Sequence, residues 1–161
     1  MKLRTIAMTL LLALGLTVSA YAAEVAQDSK AVWTATGLPG KLPAGWSVYE
    51  DKESGSPFFV ITRKGQSEIF SIIALIPPHE VTGSLESMVD KIAEESGGVR
   101  DTKVYGKTTV ESFTNDKGLY FAMAEYESQV YAFIKMKNQT TDEQAGQDEL
   151  YRNAFGKEKK K

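Results

Sequence analysis

The chain has no cysteine and one histidine, His79. The first absence removes thiol nucleophiles, thiolate metal sites, dithiol redox chemistry and disulfides together. The second rules out a histidine-rich metal centre and leaves His79 as the sole imidazole for any Ser-His-Asp arrangement. Clustered basic charge is also missing: 19 Lys and Arg stand against 21 Asp and Glu, a formal charge of −2, whereas nucleic-acid binding needs a basic patch. No Gly-x-Ser-x-Gly, P-loop, His-Glu-x-x-His, EF-hand loop or dinucleotide fingerprint occurs. The Gly-Lys pair within Gly37–Lys41 lacks the glycine spacing of a phosphate loop. The expectation is therefore a protein that is not an enzyme, with no catalytic residue, metal or cofactor assigned.

What is present starts at the N-terminus. Lys2 and Arg4 precede an uncharged apolar stretch, Thr5 to Ser19, followed by Ala20-Tyr21-Ala22. A positive n-region, an apolar core and a small-x-small site make up a secretory signal peptide. The stretch is shorter than the roughly 20 residues of a spanning helix, and no cysteine offers a lipid anchor. Cleavage between Ala22 and Ala23, with Ala20 and Ala22 as the small residues, is expected to release a soluble protein without a stable membrane anchor. The short n-region and alanine-rich cleavage site suggest bacterial export. The periplasm is the expected destination, with the extracellular space as the alternative.

The remainder reads as one domain. Residues 23–41 are expected to be a flexible N-terminal segment and a Pro/Gly-rich loop in which Val32 and Trp33 pin the chain. Residues 42–156 form a single α+β domain. Residues 157–161 form a basic tail, read as solvated; a tether to anionic lipid is the sharper alternative. Strands are expected over Trp46–Tyr49, Phe58–Arg63, Glu68–Ile76, Asp101–Tyr105, Lys107–Phe113, Leu119–Tyr126 and Val130–Lys137, from β-branched and aromatic alternation. Glu68–Ile76 is apolar on both faces, as in a strand covered from both sides, and Pro77-Pro78 ends its ladder. In the last strand, Tyr131 and Phe133 give way to Lys135 and Lys137, so that side is expected to emerge into water.

Two helices are expected. Ser84 N-caps the first, whose stripe is Leu85, Met88, Val89 and Ile92, and Gly97-Gly98 stops it. The second begins at Thr141 in a capping box with Gln144. Its buried stripe is Leu150, Tyr151, Ala154 and Phe155, and it ends at Gly156. This order implies an antiparallel sheet covered by two amphipathic helices. Glu86, Asp90 and Glu94 form an acidic ridge at i+4 steps. Together with His79, which follows the Pro-Pro stop beside Glu80, they are the candidate partner-binding residues. Ridges of this kind more often serve as solvated faces, and a lone loop histidine beside a glutamate is usually a solvated pair. Tyr49, Tyr105 and Tyr131 are the tyrosines whose exposure would mark a contact surface.

From Leu42 to Phe155, the order of elements resembles the PsbP-like fold. It begins with "LPAGWSVYED", carrying Pro43, Gly45 and Trp46, passes a strand pair ending "IIALIPP" and the helix "SLESMVDKIAEESGG", and closes with a meander and a last helix. That fold is shared by an extrinsic subunit of photosystem II, a small Ran-binding import factor and many bacterial envelope proteins. The resemblance implies an α/β/α sandwich that acts as a binding or accessory module, and it carries over no site residue. The leading expectation is a soluble, non-enzymatic periplasmic accessory protein that recognises a protein partner. The alternatives are an inhibitor or immunity protein against an envelope-active toxin or lytic enzyme, and a small hydrolase built on convergent carboxylates or His79.

Overall fold

The computed structural model describes residues 28–52, 58–66, 68–136 and 139–160. The cleavage residues Ala20, Ala22 and Ala23, and Lys137 at the end of the last expected strand, lie outside the described residues. Among the described residues the chain forms three α-helices and seven strands: α1 (Ser29–Ala35), β1 (Ser47–Asp51), β2 (Phe58–Thr62), β3 (Ile69–Ile76), α2 (Leu85–Ser96), β4 (Val99–Tyr105), β5 (Thr108–Thr114), β6 (Leu119–Tyr126), β7 (Gln129–Met136) and α3 (Thr141–Phe155). The strands build one antiparallel sheet in the order β1-β2-β3-β7-β6-β5-β4.

The sheet consists of two meanders. The first, β1–β3, ends at Pro77, and a short 3₁₀ turn, Pro78–Glu80, leads to α2. The chain then starts again at the far edge and returns strand by strand until β7 pairs with β3, Ile72 opposite Ile134. β3 is an interior strand, buried at every position except Ile69 and Leu75, which are half-buried. This is the burial that its two apolar faces predict.

Alternation divides the side chains between two layers. Tyr131 and Phe133 of β7 join a cluster with Trp33 of α1 and Leu150, Tyr151 and Ala154 of α3. Ala132 and Ile134 join the other face, with Met88, Val89 and Ala93 of α2. Each fully buried Val, Leu, Ile, Phe or Met among them contributes about 1.5–3 kcal/mol. The helix caps follow local chemistry. The Ser84 hydroxyl accepts from the Ser87 amide, and Gly97 closes α2 in the left-handed region at φ 68°. In α3 the cap is Thr140, which accepts from the Glu143 amide, rather than the expected Thr141.

Three expectations need correction. A third helix, α1, spans Ser29–Ala35, where no helix was expected. It is too short to show a period in sequence, but the Asp28 carboxylate caps it and the Trp33 indole, 5% exposed, donates to the Gly40 carbonyl at 3.3 Å. Lys135 does not emerge into water. Its side chain is 0% exposed and meets Glu143 at 2.6 Å, because α3 begins directly above it. The basic tail is not simply solvated, since its backbone pairs with the outer edge of β4: Gly106 N–H donates to Lys157 C=O at 2.9 Å and Lys159 N–H to Val104 C=O at 2.8 Å. At the opposite edge, the Ser29 hydroxyl accepts from the Val48 amide at 3.1 Å and donates to the Val48 carbonyl at 3.4 Å. At each sheet edge the chain itself thus takes up part of the outward backbone, at Val48 and at Val104–Gly106, one way of hindering edge-to-edge pairing.

Candidate functional site

A cleft of about 150 Å³ opens between α3 and the outer strands β4, β5 and β6. Two periodicities assemble it. Alternation along β4 places Asp101, Lys103 and Tyr105 on one face. Helical spacing places Gln144, Gln147, Asp148 and Tyr151 on one side of α3. Tyr120 of β6 and Ser112 of β5 complete the wall.

Asp148 is the hub. Its Oδ1 accepts from the Tyr105 hydroxyl at 2.6 Å and from Lys103 Nζ at 3.0 Å. Across the cleft the Tyr120 and Tyr151 hydroxyls meet at 2.8 Å. Burial pushes Tyr105 far above the ordinary phenol value, and the hydrogen bond to Asp148 pushes it further. Burial also raises Tyr120 and Tyr151. For Lys103, burial acts to lower the pKa, but the hydrogen bond and charge of Asp148 outweigh it and the net shift is upward. At neutral pH the phenols are therefore neutral and the ammonium is charged. None is poised as a base or nucleophile.

Gln147 is the exception in this network. It is 3% exposed, and neither its amide oxygen nor its amide nitrogen has a well-formed hydrogen bond. It lies close enough to Tyr151 to oppose part of the rise of that phenol without satisfying its own polar atoms. A buried amide without partners costs about 1–3 kcal/mol, and here it faces a cavity that a ligand group can fill.

The residues singled out from sequence lie elsewhere. Glu86 and Glu94 are exposed on α2. Asp90 is bound by Arg100 at 2.6 Å, and Arg100 also holds Glu111 at 2.6 Å, so the ridge is neutralised at its centre. Burial opposes the charge of Arg100, but the hydrogen bonds to Asp90 and Glu111 prevail and raise its pKa. The His79 side chain is 76% exposed, 3.7 Å from Glu80. None of these four lines the cleft. Of the three tyrosines, Tyr105 and Tyr131 are buried and Tyr49 is half-buried. The sequence signal for the cleft was polar: Gln144, Gln147 and Asp148 interrupt the face of α3 that carries Leu150 and Tyr151.

Among the described residues, no group of three or more His, Asp or Glu is placed to hold a metal ion, and no helix is long and apolar enough to cross a membrane. No family model, curated protein or solved structure matches the chain.

Proposed function

We propose that the chain is an exported, non-enzymatic binding protein of the periplasm that holds a basic side chain of a protein partner in the cleft under α3. The observation that carries this reading is the pair of unpartnered, buried amide atoms of Gln147 in a cleft whose tyrosines are held neutral and whose lysine is held charged. The size of the cleft supports it, since a cavity of about 150 Å³ accommodates a group of roughly benzene size, a side chain rather than a large cofactor. Its charge supports it too: Asp101 and Asp148 outnumber Lys103 in the lining, which favours an ammonium or guanidinium group. A PsbP-like architecture belongs to the same reading, supported by the antiparallel sheet with helices on both faces.

Replacing Gln147 with Leu tests it. The substitution removes the buried orphan atoms, so the free protein should gain about 1 kcal/mol of stability in urea unfolding. Capture of a defined partner from envelope extract should weaken about tenfold, a loss of about 1.4 kcal/mol. Opposite signs for stability and binding identify a recognition residue. Unchanged capture with higher stability would show that the cleft is not used. A captured lytic enzyme would make the chain an inhibitor acting through the same contact.

A further inference from the structure

The cleft opens along an edge of the sheet. β4 is the edge strand, and its Val99, Asp101, Lys103 and Tyr105 stand on the cleft face. Its other residues turn their backbone outward. Gly106 donates to the tail, and Val104 accepts from it. In an antiparallel ladder every second residue directs its N–H and C=O to the same neighbour, so Arg100 and Thr102 also face outward. Among the described residues, no backbone pairs with either of them there. The Thr102 N–H donates to the Asp101 carboxylate at 2.9 Å, and Asp101 is exposed. Next to it on the same face, Val99 is 74% exposed.

We propose, resting on the preference of the cleft for a basic group, that an extended segment of the protein partner adds to β4 as an antiparallel strand at Val99–Thr102 and delivers its basic side chain from there. The chain already uses this edge in the same way, since the tail runs antiparallel to β4 with Glu158 opposite Tyr105. In strand addition the main-chain hydrogen bonds give affinity, and pockets for alternate side chains give specificity. Directly opposite residues of a ladder share a face. The residue opposite Asp101 therefore stands over the cleft, and the one two positions later stands over Val99. An added strand lies about 4.8 Å outside β4. A lysine or arginine side chain crosses that step into the cleft; a short side chain does not. The partner segment thus reads basic-x-apolar. Asp101 couples the two contacts. A cation that draws its carboxylate into the cleft also releases the Thr102 N–H to the new strand. Without that cation the carboxylate caps the edge, and charge on an edge strand discourages indiscriminate pairing.

The tail supplies the probe. Appending Arg-Thr-Val-Thr after Lys161 continues it along β4 in the same register, with the arginine opposite Asp101 and the valine opposite Val99. Hydrogen exchange of the Arg100 amide should slow about tenfold relative to the unextended chain, and the side-chain amide resonances of Gln147 should shift. Appending Glu-Thr-Val-Thr keeps the strand but removes the cation, and should give no protection. Appending Arg-Pro-Val-Thr keeps the cation but removes the N–H that faces Arg100, and should give none either. Protection by the glutamate or proline segment equal to that by the first overturns the proposal, as does protection by none of the three. A Gln147 shift without protection of Arg100 overturns strand addition and leaves the basic-group reading of the cleft standing. Protection of Arg100 without a Gln147 shift overturns that reading and the proposal with it. A dimeric mass of the unextended chain, with its Arg100 amide already protected, assigns the edge to a second copy and also overturns the proposal.

Discussion

Lys135 shows how a charge is kept inside this protein. Its ammonium meets Glu143 and lies 3.7 Å from the centre of the Phe70 ring. Arg63 reaches the same Glu143 at 3.1 Å and also faces Phe70. Glu143 thus bridges two cations at the start of α3, with Asp142, 3.0 Å from Arg63, supplying the second negative charge, and breaking a buried pair from one side typically costs about 3–5 kcal/mol. Glu143→Gln should lose stability on that scale in urea unfolding; a loss below about 1 kcal/mol would mean that the pairs are solvated. No such arrangement could be read from alternation, which placed Lys135 in water, because the partner lies on a helix whose position the strand pattern does not encode. The cleft tyrosines give a pH signature. Tyr105, Tyr120 and Tyr151 keep their protons in the folded state above the value near 10 at which the unfolded chain releases them, so the native state binds more protons there and stability falls as pH rises. The raised Lys103 acts in the same direction: its contribution is complete below about pH 10.4 and lost as pH climbs through its folded value. These groups should leave stability flat through neutral pH. The phenolate absorbance of the three tyrosines should appear with unfolding in one step, and gradual, independent ionisation near pH 10 would contradict their burial.

At the scale of elements, the connections carry the clearest local chemistry. The hairpin between β6 and β7 turns on Glu127 and Ser128, with φ of 47° and 68°. The left-handed region costs a residue with a Cβ about 1–2 kcal/mol, and two-residue hairpin turns favour Asn-Gly or Asp-Gly for this reason. Ser128→Gly should raise stability by about 1 kcal/mol; a fall in Tm would show that the serine makes a contact worth more than the strain. Most elements were legible because their signals are short-range: β-branched runs marked the strands, Ser84 and Gly97 marked the ends of α2, and Gly156 ended α3. α1 was illegible because its support comes from Gly40 and the sheet rather than from its own period. The cleft was half legible. Tyr105 drew attention as a surface candidate, whereas Gln147 and Asp148 gained meaning only when α3 came to rest against β4.

For the whole molecule, the chain itself takes up part of each sheet edge, Ser29 at Val48 of β1 and the tail at the end of β4, where Glu158 bridges to Tyr105. Deleting Lys157–Lys161 should leave the core intact and free the end of β4, so light scattering should report a larger mass than for the full chain; an unchanged mass would assign edge protection to other features. Strand order was the least legible property, because a strand's face pattern identifies its inward residues but not its neighbour. The seam between β3 and β7 has a consequence in time. Ile72 finds its partner only when Ile134 is available, and long-range pairing of this kind slows folding. A polypeptide that grows from its N-terminus during synthesis therefore holds its early hairpins waiting, and the sheet closes along this seam only once most of the chain is available.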